Sequence, residues 1–186
     1  MTTNTPRIKH GWFRAVLFFI SFFIFVTFFD LAGIAIVSLL TEYSFKEYIS
    51  DTALLMENKM MLLMMVCQLA GTLFTVWLFQ KYINREPFSS IGIEFSGYKN
   101  DFIFGLLIGF GLIVMGFSIL IIFNFISVSS LQFSFIDQLF YLCLFAVVSI
   151  NEEIAMRGYI LQNLSSSFNK YIALALSSLV FMIMHI

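Results

Sequence analysis

Five long apolar runs, separated by short polar segments, dominate the chain. They cover Trp12–Leu40, Met60–Phe79, Phe102–Phe123, Phe135–Leu164 and Tyr171–Ile186. A helix needs about 20 residues to cross a hydrocarbon core of about 30 Å. The first three runs meet that length, and the fourth does so if it includes buried charges. Because the runs are continuous rather than alternating, they predict an all-α, polytopic transmembrane helical bundle of about five spans.

Composition supports a membrane protein. Hydrophobic residues make up 60% of the chain and charged residues 11%, whereas a soluble domain is about a quarter charged. The net charge is -1 and there is no basic run, so we expect a lipid bilayer as the surroundings and no nucleic acid as a partner.

The cations predict the orientation. They cluster before the first run, between the second and third runs, and between the fourth and fifth runs. These cations are Arg7, Lys9, Arg14, Lys81, Arg85, Lys99 and Lys170. By the positive-inside rule they lie in the cytoplasm. We therefore predict a multi-pass protein of the plasma (inner) membrane with a cytoplasmic N-terminus.

The last apolar run is short. It follows Lys170 and stops at Ile186 with no polar flank. At 1.5 Å per residue it covers about 24 Å, less than the hydrocarbon core. We therefore expect the sequence to be a fragment that stops inside a helix.

Three charges lie close together in the second half of the fourth run: Glu152, Glu153 and Arg157. One charge in the middle of a membrane costs from about 2.5 to more than 10 kcal/mol, so such residues are functional candidates. Glu153 and Arg157 are four residues apart and can pair on one helical face. Glu152 lies about 100° around the helix and has no local cation. A purely structural ion cluster, or a cluster at the cytoplasmic interface, would also explain these charges.

The fifth run adds Phe181 and His185, which also share a helical face. A short loop makes the fourth and fifth runs antiparallel neighbours. Glu152 and His185 then lie about 18 and 22 Å from that loop, near one depth. A carboxylate opposite an imidazole can hold and activate a water molecule.

The segment Glu152-Glu153-Ile154-Ala155-Met156-Arg157-Gly158 resembles the first motif of the CPBP family. This family, also called Abi, contains the CAAX proteases and bacteriocin-processing enzymes. Phe181-x-x-x-His185 is similar to the family's second motif. The resemblance covers mainly Phe102–Ile186. The ordered pair of motifs within a membrane bundle is more specific than either motif alone.

The resemblance implies a multi-span intramembrane endopeptidase. Glu152 would be the general base acting on water, His185 would position and polarise that water, and Glu153 and Arg157 would order the site. The family is often described as metalloproteases, although a metal-free mechanism has also been argued. The cofactor would be zinc or none, with Glu152 and His185 as ligands if a metal is used. Two ligands are fewer than the three that a catalytic zinc typically takes from protein.

One departure from the family pattern is the missing third motif, a His followed four positions later by Asn or Asp. That motif would supply another ligand or oxyanion-stabilising groups. We therefore expect residues 101–186 to be an incomplete catalytic core. Residues 1–100 would form a two-span region with a cytoplasmic connector. We also expect the fragment alone to be inactive.

The predicted function is hydrolysis of a peptide bond in a membrane-associated protein or peptide. Two other classes stay open. One is a non-enzymatic immunity or scaffold protein that keeps the motif for packing. The other is a small transporter with a buried proton-carrying carboxylate, although we see none of the repeats or helix breaks typical of transporters.

Overall fold

The computed structural model describes residues 5–51, 54, 58–92, 97–130 and 133–185, and within these ranges every regular element is helical. The α-helices are α1 (Gly11–Leu40), α2 (Phe45–Ser50), α3 (Asn58–Phe79), α4 (Lys99–Ile122), α5 (Phe135–Glu152), α6 (Gln162–Ser165) and α7 (Lys170–Ile183). Two π-helices, π1 (Gln80–Asn84) and π2 (Glu153–Leu161), continue α3 and α5, and a 3-10 helix covers Phe88–Ile91. The predicted all-α fold is confirmed.

Four helical stretches in the described ranges are long and apolar enough to cross a membrane. They are Gly11–Leu40, Met60–Asn84, Lys99–Ile122 and Phe135–Ser165. These stretches correspond to the first four predicted spans, and the polytopic bundle is confirmed. The fifth predicted span corresponds to α7, an apolar helix of 14 residues. Its last residue, Ile186, lies outside the described residues.

The chain divides into two compact units. One comprises Met1–Gly92 with Leu139–Ile186, and the other comprises Ile93–Gln138 and contains α4. In the first unit, α1 packs along α3, and both helices contact π2. All the residues of the candidate site belong to this unit.

The core of the first unit forms around Tyr159 of π2. The Tyr159 ring stacks on Phe18 of α1, with 4.1 Å between ring centroids, and meets the edge of Phe79 of α3 at 5.7 Å. All three rings are buried. Aromatic pairs of this kind contribute about 0.5–1.5 kcal/mol each beyond the area that they bury, so this cluster fixes π2 against α1 and α3.

A buried polar network lies beside these rings. Arg14 Nη1 and the Tyr159 hydroxyl both donate to Asn84 Oδ1, each at 3.2 Å. Arg14 Nη2 donates to Ser166 Oγ at 3.0 Å, and Asn84 Nδ2 donates to Gln80 Oε1 at 2.6 Å. Arg14, one of the cations used to predict orientation, is therefore buried and joins α1 to π1 and to the end of α6.

Candidate active site

The Glu-Glu-x-x-x-Arg segment lies where α5 changes into π2: α5 ends at Glu152 and π2 begins at Glu153. The regular 3.6-residue helix that we assumed for this segment is therefore wrong from Glu153 onward. The wider i→i+5 turns of π-helices are rare and often lie at functional sites. Here they accompany the buried packing of Tyr159 and a glycine, Gly158, that weakens the preference for a regular α-helix.

Glu152 and His185 meet across the junction of α5 with π2 and the end of α7. Glu152 Oε1 lies 3.5 Å from His185 Nε2. Their side chains are 36% and 52% exposed, respectively, so each keeps one face accessible. The structure therefore brings together the two residues that the sequence placed near one depth.

A second contact orients the His185 imidazole. His185 Nδ1 lies 2.8 Å from the main-chain carbonyl oxygen of Phe181. A carbonyl oxygen only accepts hydrogen bonds, so Nδ1 must carry the proton. In the neutral ring Nε2 then has a free lone pair, and it is this nitrogen that faces Glu152. The Phe181 ring also packs on the imidazole, with 4.4 Å between centroids.

Glu153 and Arg157 form the ion pair expected from their spacing. Arg157 Nη1 lies 2.9 Å from Glu153 Oε1 and donates to Oε2 at 3.0 Å. Both side chains are more than half exposed. The pair accounts for two of the three motif charges. Among the described residues, the ion-pair partner of the Glu152 carboxylate is His185, when that ring is protonated.

Two cavities flank Glu152. The larger, of about 400 Å³ and here called the main cavity, is lined by polar side chains and by apolar residues of α1 and α7. Its polar lining residues include Asp30, Gln68, Asn151, Glu152 and His185. The smaller, of about 170 Å³ and here called the side cavity, contains Glu152 with the Glu153–Arg157 pair. Glu152 lines both cavities and stands between them.

The two motif segments lie in a region of the chain that resembles known peptidases. Residues 134–186 match the family model of the Rce1-like type II CAAX prenyl endopeptidases. The match includes both motif segments, and it confirms the family resemblance seen in the sequence. No curated protein and no solved structure matches the chain. The four apolar helices, taken with the Rce1-like region, indicate an integral membrane protein.

Sequence reasoning did not assign Asp30 or Asn151 to the site. Both line the main cavity with Glu152. Asp30 offered a signal, because it is a charged residue inside a 30-residue apolar helix, and such residues face a bundle interior or a cavity. Asn151 offered a weaker one, as a polar residue next to the acid pair of the Rce1-like region.

The described residues alone do not fit a catalytic zinc. Glu152 and His185 supply two ligands, and no group of three His, Cys, Asp or Glu side chains is placed to hold a metal within the described ranges. A catalytic zinc typically takes three ligands from protein.

Proposed function

We propose that the chain is an intramembrane endopeptidase of the CAAX-protease-like type, which hydrolyses a peptide bond in a membrane-associated protein or peptide. One observation carries this proposal: Glu152 Oε1 and His185 Nε2 lie 3.5 Å apart at the edge of a cavity. The match of residues 134–186 to the Rce1-like family supports the same reaction class.

In this proposal Glu152 is the general base. Its distance to His185 exceeds that of a direct hydrogen bond, about 2.7–3.2 Å, and in this proposal one water in the main cavity contacts both side chains. Such a water donates one proton toward the carboxylate of Glu152 and the other toward the free lone pair of His185 Nε2. Its oxygen lone pair then faces the substrate carbonyl.

The reaction balances with these two side chains. Glu152 takes a proton from water as the water oxygen bonds to the carbonyl carbon, which gives a tetrahedral intermediate. When the C–N bond breaks, Glu152 returns that proton to the leaving amine. His185 holds the water through Nε2, while the Nδ1 contact with Phe181 keeps the ring in the required tautomer.

The Glu153–Arg157 pair has a positioning role in the proposal. Because each member neutralises the other, neither competes with Glu152 for the proton or with His185 for the carboxylate. The pair lines the side cavity and fixes the first turn of π2, which directly follows Glu152.

The first prediction tests the base. In the full-length protein, reconstituted in vesicles with internally quenched peptides bearing or lacking a prenyl group, Glu152→Gln should lower kcat/KM by about 10²–10⁴-fold. The amide has nearly the same shape but cannot take the proton. The measurement is the rate of fluorescence release at matched protein amounts.

Glu42→Gln is the matched control, because Glu42 is an exposed carboxylate beyond the end of α1. It should cleave at the rate of the unchanged protein. Cleavage by Glu152→Gln at that same rate would exclude Glu152 as the base and would refute the proposed mechanism.

A further inference from the structure

The main cavity has a second polar side that the proposed mechanism does not use. Asp30 from α1, Gln68 from α3 and Asn151 from α5 line it. In the part of the chain that the structure describes, no hydrogen bond or ion pair joins any of these three side chains to another residue. Three polar side chains from three helices thus line one cavity, and none of them has a partner among the described residues.

Asn151 is the most deeply buried of the three side chains. It is only 8% exposed, and its Oδ1 is buried without a hydrogen-bond partner among the described residues. Buried polar atoms are paired in most native proteins, and the exceptions call for a specific explanation. A ligand in the main cavity would supply that explanation.

Asp30 indicates which charge a ligand of this cavity carries. Three acids line the two cavities, and the two other than Asp30 have partners: Glu153 pairs with Arg157, and Glu152 faces His185. Asp30 has no cation beside it in the described ranges. A carboxyl group inside an apolar helix that crosses a membrane is costly unless it is paired or serves a function.

The amides of Asn151 and Gln68 both donate and accept hydrogen bonds, as the main chain of a peptide does. The carboxylate of Asp30, which has no cation beside it among the described residues, can bind a cation. We propose that Asp30, with Asn151 and Gln68, forms a subsite that binds a lysine or arginine side chain of the substrate, near the bond that is cut. This inference rests on the proposed peptidase function and adds a substrate preference to it.

The test is a pair of peptide series cleaved by the full-length protein in vesicles. In one series a lysine is moved along the positions on both sides of the cut bond, and in the other norleucine takes its place. At one position lysine should raise kcat/KM by about tenfold, the effect expected of a close charge pair. Asp30→Asn should bring that ratio close to one, while Asp30→Glu and the control Glu42→Gln should keep it.

A second measurement separates this subsite from catalysis. Binding of the best lysine peptide is measured on Glu152→Gln, with and without Asp30→Asn. We expect Asp30→Asn to weaken binding of the lysine peptide more than binding of the norleucine peptide.

The outcomes are distinct. Equal cleavage of both series, or a lysine preference that survives Asp30→Asn, would overturn the subsite and leave the peptidase proposal intact. If the unchanged protein cuts no peptide but binds lysine peptides in an Asp30-dependent manner, the subsite stands and the peptidase proposal fails.

Discussion

At the scale of single residues, Tyr159 packs π2, the helix that follows Glu152, against α1 and α3. Its ring packs between Phe18 and Phe79, and its hydroxyl donates to Asn84. The ring and the hydroxyl therefore serve different partners, and their contributions to stability can be separated by substitution. Both contribute to the position of π2, whose first turn follows Glu152 directly.

We predict unequal effects of two substitutions at Tyr159. Tyr159→Phe should lower the free energy of unfolding by only about 1 kcal/mol, because Asn84 Oδ1 still accepts from Arg14. Tyr159→Ala should lower the free energy of unfolding by about 3–5 kcal/mol, since loss of the ring leaves a cavity between the rings of Phe18 and Phe79. Denaturant titration in detergent micelles measures both, and equal losses would contradict this division between ring and hydroxyl.

At the same scale, the sequence predicted some of the site and missed the rest for a physical reason. Glu153 with Arg157, and Glu152 with His185, could be related through helical spacing and one short loop. Asp30 could not, because its place beside Glu152 depends on how α1 packs in the bundle, and no local spacing encodes that packing.

At the scale of elements, helix extent was predictable and helix type was not. The length of an apolar run follows from the thickness of the membrane, so the ends of α1 agree closely with Trp12–Leu40. The change from α5 to π2 accompanies contacts of Tyr159 with helices far away in sequence, which local spacing does not encode. A period of 3.6 residues therefore described the motif only as far as Glu152.

Helix packing also depends on one close approach. α1 begins at Gly11, where a Cβ atom would collide with the main-chain oxygen of Asn163 and with Ser166 Oγ. The main chain of α6 cannot shift without moving the end of π2, so a glycine is needed for α1 to lie this near.

We therefore predict that Gly11→Ala destabilises the protein by about 1–3 kcal/mol, as overpacking does. Thermal unfolding in detergent should show a lower midpoint. Gly105→Ala is the control: among the described residues, no atom apart from its chain neighbours and its own helix backbone lies within 4 Å of its ideal Cβ position. Alanine also favours a helix over glycine, so its midpoint should not fall. A lower midpoint for Gly105→Ala together with an unchanged midpoint for Gly11→Ala would contradict this prediction.

At the scale of the whole molecule, the predicted division into residues 1–100 and 101–186 crosses the main cavity. Asp30 and Gln68 come from the first region, and Asn151, Glu152 and His185 come from the second. Residues of the first two spans therefore line the cavity in which the proposed chemistry of the Rce1-like region takes place.

The orientation predicted from the cations is tested at this scale. Ser89, between π1 and α4, should face the cytoplasm, and Lys46, between α1 and α3, should face outward; both are exposed. With Cys67 and Cys143 replaced by alanine, a membrane-impermeant maleimide added to intact cells should label Lys46→Cys. It should label Ser89→Cys only after lysis, and the opposite pattern would invert the predicted topology.

The placement of Asp30 has a consequence for how the first helix evolves and can be engineered. A hydrophobic leader of the same length would direct the chain into the bilayer equally well, because insertion depends on apolar length and flanking charge. It would lack the side chains of Phe22, Val26 and Asp30 that line the main cavity. If Asp30 forms the proposed subsite, membrane insertion and substrate choice are two separable functions of α1, and we expect an exchange of that helix to keep the first and lose the second.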